Sequence, residues 1–456
     1  MASARRNDRL AEAVDRAGFT QKSFARAVRA AGAEQGVSIL CDHTSAGRWL
    51  AGTLPRERTA FAILAALRKR LGQQLTLHDI GLAASESVPP DVGRRYEDDV
   101  DETLAAVPRL LRADLDDVRT ITAGDPAVET WTQASLAWLT ATDTHVPTYT
   151  SGVRVGRTDV RVIRQTTDVF VGLDNRFGGG HARRALVQYL SGEVAQLLSG
   201  RYSAEVGRAL FSTVAESTLL VAWMSYDSGF HGLAQRYFVQ ALQLAQAGDD
   251  RLLGASILSA MSHQATYLGH FRDAAMLARA ARLGIAGACG TLSAQFCAME
   301  ARALARLGDA PGCDRALSEA VHEFERRNPA ADPAWISYFD DAELAAEFGH
   351  CFRDLGRATG ATTYAAQSLG EADGTYVRSD FFATMVLAHA HLGQREVEEG
   401  CRVALRALDL GQQLKSARRA AYLREFRNQL ATVGSPVLVK EFEEQAAESP
   451  LDRLSA

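Results

Sequence analysis

YLGHFRDAAMLARAARLG, residues 267–284, carries the pattern on which the fold turns. A Leu-Gly pair ends one helix-length stretch, a polar residue follows, and an alanine-rich amphipathic stretch begins. The same join returns as RLGDA (306–310), DLGRA (354–358) and HLGQR (391–395), with SGFHG (228–232) as an earlier relative. With Gly229, Gly269, Gly308, Gly356 and Gly393 as markers, the intervals are 40, 39, 48 and 37 residues. Behind the markers stand LAQRYFVQALQLA, RDAAMLARAARLG, CDRALSEAVHEF, TTYAAQSLGEA and VEEGCRVALRAL, each a helix of one type. Glycine at the join suits the left-handed backbone that closes a helix and lets the chain double back. Ala241, Ala278 and Ala316 are small enough for paired helices to approach closely. Two helices per unit at this period predict an α-solenoid, in which stacked pairs bury a continuous core.

These units resemble tetratricopeptide repeats over roughly residues 210–430, although their spacing exceeds that family's usual 34. The rest of the chain also reads helical. Ala, Leu, Arg, Glu and Gln dominate, and Gly or Pro punctuates at helix-length intervals. GVRVGRTDVRVI (152–163) fits either a short strand or a buried helix start. SESVPPD (85–91) reads as a linker, which predicts a head over 1–83, a connecting segment with an acidic helix over 84–125, and the repeat body over 126–456.

At 456 residues, 47% hydrophobic and 23% charged, the chain has the composition of a globular protein with a large core. No apolar run approaches the roughly 20 residues needed to cross a bilayer, so no membrane partner is expected. MASARRNDRL lacks the apolar core of a secretory signal. Six dispersed cysteines suit reduced thiols in a cytoplasmic protein. The net charge of −5 is unevenly spread: residues 1–83 hold 13 Lys/Arg against 7 Asp/Glu, and the remainder 37 against 48. A basic head on an acidic body points the head, and not the body, towards a polyanion.

Within the head, NDRLAEAVDRA (7–17) places Leu10, Val14 and Ala17 on one face. FTQKSFARAVRAAG follows, with Thr20 as N-cap and Phe24, Ala25 and Val28 turned inward. CDHTSAGRWLAGTLPR (41–56) and the apolar helix TAFAILAALRKRL (59–71) complete it. The series T-Q-x-x-F-A-R, then T-S-A-G-R-W-L-A-G-x-x-P, resembles the XRE-type, lambda-repressor-like helix-turn-helix. LTLHDIGLA (75–83) resembles the closing segment of such domains. The whole arrangement resembles actinobacterial regulators of antibiotic production and development. Two features depart from the simple motif. The connection over roughly 32–41 exceeds a 3–4-residue turn. Gly47 within the second motif helix costs about 1 kcal/mol relative to Ala, which suggests close backbone approach to something such as a phosphate.

A recognition helix needs one stripe for the core and another for the groove. Trp49 and Leu50, with Leu54 beyond, suit the first. His43, Thr44, Ser45 and Arg48 suit the second, Arg48 on a guanine edge and Thr44 with Ser45 on phosphate near the helix N-terminus. Gln21, Lys22, Arg56 and Arg58 suit backbone contacts.

Elsewhere the sequence excludes more than it offers. FGGGHARRAL (177–186) lacks the G-K-[ST] of a phosphate-binding loop and reads as a tight connection, with His181, Arg183 and Arg184 as minor candidates for a ligand or a partner subunit. HAH (389–391) points two rings apart on a helix, so no metal or other cofactor is expected. His350 beside Cys351 is adjacency without geometry, and no catalytic motif appears, so an enzyme is not expected. The acidic run at Glu97, Asp98, Asp99 and Asp101 reads as a solvated helix face, or as a phosphate mimic competing for the head. Aromatic clusters offer Trp223, Tyr226, His231, Tyr237, Trp335, Tyr338 and Asp340 as ligand-binding residues in a solenoid groove. The expected protein is a dimeric, sequence-specific transcription regulator that binds double-stranded DNA through the head and a small-molecule or peptide effector through the body. The alternative is a protein–protein adaptor acting through the repeats.

Overall fold

The computed structural model describes residues 6–34, 37–71, 75, 77, 80–82, 88–97, 99–141, 146–147, 152–371 and 374–448, without the side chain of Glu57. Asp98 and residues 84–87 of the expected connecting segment, and Ala83 at the end of the expected head, lie outside these. The chain forms two units, residues 1–89 and 90–456. Among the described residues everything regular is helical, apart from one isolated bridge between Arg154 and Arg201. Of 152–163, the part from Arg157 onward is helix and the part before it makes that bridge.

Unit 1 contains α1 (Asp8–Arg16), α2 (Gln21–Glu34), α3 (His43–Leu50) and α4 (Glu57–Leu71). α1, α2 and α3 each begin where a side chain satisfies a free N–H group. Asn7 accepts from the Leu10 N–H at 3.0 Å, and its amide donates to the carbonyls of Ile80 and Gly81, tying the closing segment to the start. Thr20 and Ser23 cap α2 reciprocally. Leu10, Val14, Phe24, Val28, Ala46, Trp49, Ile63 and Leu67 form one core. Trp49 meets Phe24 edge-on at 6.4 Å, as its core assignment requires. Leu54 does not join that core and stays 54% exposed, because the chain turns outward at Gly52, whose φ is +101°.

The long α2–α3 connection has its own supports. Ile39 packs where a Cβ on Gly32 would stand, 2.6 Å from Ile39 Cγ1. Arg29 donates to the Cys41 carbonyl at 2.5 Å, and the Cys41 thiol approaches the Ala25 carbonyl. The connection is therefore packed back onto α2 instead of turning tightly.

Unit 2 opens with α5 (Val100–Leu115), α6 (Arg119–Thr122), α7 (Val128–Thr140), α8 (Arg157–Phe177) and α9 (Gly179–Tyr189), then a π-turn (Leu190–Val194) and α10 (Ala195–Leu198). Six helix pairs follow: α11 (Ala204–Asp227) with α12 (His231–Ala247), α13 (Arg251–Tyr267) with α14 (Phe271–Ile285), α15 (Gly290–Leu307) with α16 (Ala310–Glu325), α17 (Asp341–Asp354) with α18 (Ala358–Glu371), α19 (Val377–Gly393) with α20 (Val397–Leu410), and α21 (Ala417–Val433) with α22 (Pro436–Glu448). The first helix of each pair packs on the first helix of the next, which makes them one wall of a solenoid. Gly229, Gly269, Gly308 and Gly356 hold positive φ at the turns, as the repeat pattern demands. The fifth marker differs. α19 runs through Gly393, where a Cβ would press on Ala358, and Arg395 takes the left-handed position instead. The longest interval reflects an insertion between α16 and α17 that carries a short 3-10 turn (Ala334–Ile336).

Residues 90–125, read from sequence as connecting segment, are packed into this unit. Arg236 on α12 donates to the carbonyls of Val92 and Pro90 at 2.5 and 2.6 Å. Gln235 exchanges two hydrogen bonds with the Ala127 backbone. α5 is fastened by Asp114, whose carboxylate accepts from Tyr237 at 2.7 Å and from Arg183 at 2.6 Å. Asp99 is simply the N-cap of α5, accepting from the Asp101 N–H. The fully buried Trp138 of α7 lies against Gly254 and Gly284, where any side chain would collide with its ring.

The array also closes on itself. Asp174 of α8 pairs with Arg378 of α19 at 2.5 Å. Asp227, at the end of α11, accepts from the Gly179 N–H and from Ser416 beside α21. The Phe177 carbonyl accepts from the Lys415 N–H at 2.7 Å, and the Gly180 N–H donates to the Lys415 carbonyl at 2.9 Å. A Cβ on Gly179 would stand 2.5 Å from the Met224 carbonyl oxygen, and one on Gly180 2.9 Å from that of Lys415. The glycine loop of 178–180 is thus a backbone-to-backbone clasp between the α8–α9 turn and the segment leading into α21. Its minor candidates are engaged nearby: Arg183 with Asp114, Arg184 with the Leu115 carbonyl, and the His181 ring against Phe177.

Candidate nucleic-acid interface and the inner wall of the array

In unit 1, α3 shows two faces. Ala46 and Trp49 are buried; His43, Thr44 and Arg48 are exposed. Gln21, Lys22, Arg56 and Arg58 are exposed as well. Trp49 fixes the rotation of the helix, so the exposed row is presented by a rigid element. Ser45 is half-buried and turned towards Asp42, the N-cap. The Asp42 carboxylate accepts from the Ser45 N–H at 2.8 Å and its hydroxyl at 3.0 Å, and these bonds hold its pKa below the ordinary value. A carboxylate therefore occupies the α3 N-terminus that Thr44 and Ser45 were expected to offer to phosphate. Gly47 faces Gln21: a Cβ there would lie 3.5 Å from Gln21 Oε1, an ordinary contact. Its lack of a side chain is not demanded by packing within the unit.

In unit 2 the first helices of the pairs carry polar side chains on their shared wall. Trp223, Tyr226 and His231, expected as ligand residues, do gather. The Tyr226 ring lies 5.8 Å from Trp223 and 5.7 Å from His231. His263 and Tyr267 join them from α13, and the Arg418 guanidinium stacks over Tyr226 at 5.0 Å. His263 Nδ1 is 3.1 Å from the Tyr226 hydroxyl and its Nε2 is 3.4 Å from Arg302 Nη1. Arginine can only donate, so Nε2 accepts and the ring proton sits on Nδ1. Burial, reinforced by Arg302, holds this histidine well below its ordinary pKa.

Further along the wall Arg302 pairs with Glu347 at 3.1 Å. Burial and the neighbouring Glu347 push Glu343 up to about 8, so its carboxyl is neutral at neutral pH. Glu343 keeps some accessible surface even so. Tyr338 accepts from Gln295 at 2.5 Å. His350 Nδ1, Arg302 Nε, Arg418 Nε and Gln295 Oε1 are buried and make no hydrogen bond within the protein. Such atoms are uncommon in packed interiors.

The other expected ligand residues lie elsewhere. Tyr237 is on α12 and fastens Asp114. Asp340 is the exposed N-cap of α17, accepting from the Glu343 N–H. Trp335 is half-buried on the inserted turn. The two rings of HAH also part: His389 bonds Gln429 and His391 bonds Glu396. Missed altogether were His263, Arg302, Glu343, Glu347, Arg378 and Arg418. A signal for some of them existed. Six residues before each left-handed turn residue stand Trp223, His263, Arg302, His350 and His389, one per repeat.

A shallow pocket of about 480 Å³ lies between the starts of α8 and α11, lined by Arg154, Arg201 and Tyr202. Among known proteins, the family described as SP15 N-terminal domain matches residues 10–83, which lie within unit 1. No curated protein and no solved structure matches the chain.

Proposed function

We propose that the chain is a sequence-specific DNA-binding regulator, working as two copies, whose repeat array holds a small-molecule or peptide effector. The observation that carries the DNA reading is α3 itself: Trp49 locks one face into the core while His43, Thr44 and Arg48 stand exposed on the other. The basic balance of residues 1–83 supports it. Arg48 is the side chain suited to a guanine edge, with Gln21, Lys22, Arg56 and Arg58 around it for phosphates. Thr44 remains free for such contact, whereas Ser45 serves the cap. The inner wall supports the effector reading through its buried donors and acceptors without protein partners. Titrating the full chain into labelled genomic fragments at several salt concentrations tests the DNA role. Arg48→Ala should lose sequence preference, and binding should fall steeply with salt.

One observation favours a second reading, docking of the same unit onto a protein. Leu40, just before α3, is 95% exposed. If Leu40→Ser abolishes capture of a partner protein while DNA fragments are never enriched, the adaptor reading replaces the first.

A further inference from the structure

α8 buries Val160, Ile163, Thr167 and Asp174 against the array and turns its opposite face outward. At about 100° per residue, Val162, Val169 and Leu173 fall in one narrow stripe on that outward face. Val162 is 50% and Val169 64% exposed, and Leu173 is half-buried. Gly172 is also exposed, with open space for 4 Å around the place of a Cβ. A glycine destabilises an exposed helix interior relative to alanine, and no packing among the described residues requires this one. Arg161 and Asp168 flank one side of the stripe, both exposed and without an ion pair to another described residue.

From this pattern we infer that α8 is a two-fold interface that pairs antiparallel with α8 of a second copy of this chain. One register satisfies every feature at once. It sets Val162 against Val169 of the second copy and Thr158 against Leu173 of the second copy. In an antiparallel helix pair, residues flanking the seam on the same side meet across it. The same register therefore brings Arg161 to Asp168 of the second copy, and the reverse pair forms by symmetry. Gly172 then faces Thr158 of the second copy, where the absence of a side chain lets the backbones approach. The surface is complementary to itself in both apolar stripe and charge, which is what a second copy supplies.

The inference rests on the two-copy reading proposed above, and its test is run without DNA so that it stands apart from DNA binding by the head. Sedimentation of the full chain from 1 to 50 µM should show monomer and dimer in exchange, unchanged by Arg48→Ala. Asp168→Arg and Val169→Glu alter only exposed positions and should each weaken the dimer about tenfold or more. Arg161→Asp combined with Asp168→Arg swaps both charges and should restore it. Far-ultraviolet circular dichroism confirms that each variant is folded. A wild-type chain that stays monomeric, a dimer indifferent to Asp168→Arg and Val169→Glu, or a swapped variant no better than Asp168→Arg alone would overturn the interface.

Discussion

Removing the Arg378 guanidinium should open the join between α8 and α19. Asp174 is 3% exposed at its side chain, and its only ion-pair partner among the described residues is Arg378, at 2.5 Å. Its second carboxylate oxygen already has no partner. In Arg378→Met the carboxylate is left buried and uncompensated, a loss of about 3–5 kcal/mol in comparable buried pairs. Asp174→Asn alone should cost less, because the half-buried Arg378 guanidinium keeps the attraction of Asp227 and Glu343. The double variant buries no lone charge, so it should be less destabilised than the two singles combined, by at least about 1 kcal/mol. Urea unfolding followed by tryptophan fluorescence measures this. Four of the five tryptophans (Trp131, Trp138, Trp223 and Trp335) lie in the array, so the signal reports chiefly on it. Single variants within about 1 kcal/mol of the parent, or a strictly additive double, would refute the argument that this pair clasps the array.

Three further outcomes follow from the geometry. Gly47→Ala should stabilise the head by up to about 1 kcal/mol, since the Cβ meets Gln21 only at ordinary contact; if DNA affinity drops while thermal stability rises, that space belongs to the DNA. Gly179→Ala should destabilise the array by about 1–3 kcal/mol, because the collision is with Met224 backbone atoms that cannot swing away, and calorimetry reads the loss. The pH dependence of unfolding should have a maximum. His389, held at about 4 by burial, and His263 and His350, also held low by burial, are neutral when folded and charge in the unfolded chain below pH 6.5. The unfolded state then binds more protons, so this stability is whole above 6.5 and lost as pH falls towards 4. Glu343 acts oppositely: it stays protonated when folded up to about 8 but ionises above 4.5 when unfolded, so stability is lost as pH rises between those values. Glu343→Gln should remove that alkaline decline, a relative gain on the order of 3 kcal/mol between pH 5 and pH 8; an unaltered pH profile would count against it.

Local chemistry made much of the fold legible and global closure made the rest obscure. The Leu-Gly joins announced helix pairs because a left-handed residue is needed wherever a helix turns back sharply, and Gly229, Gly269, Gly308 and Gly356 serve that need. Arg395 shows the limit: the left-handed position moved two residues once Gly393 was committed to packing on Ala358. Trp49 was legible as core because a large apolar group on a short amphipathic helix has nowhere else to go. The ion pair of Asp174 with Arg378 was invisible, since 204 residues separate the partners and nothing local marks either one. For the same reason the glycines of 178–180 read only as a tight connection between helices, although they allow close approach to a segment more than 200 residues away. Tyr237 and Tyr226 looked alike in sequence, and only the placement of α12 behind α11 sent one to Asp114 and the other to the inner wall.

The measurement that bears most directly on the whole account is selection of bound sequences from a pool of random duplexes by the full chain, in parallel with its Arg48→Ala variant. The account predicts an enriched motif for the parent chain, binding that weakens steeply as salt rises, and loss of the enriched motif in the variant with weak salt-sensitive binding retained. A pool that emerges unenriched from the parent chain, or a motif that survives Arg48→Ala unchanged, would contradict it.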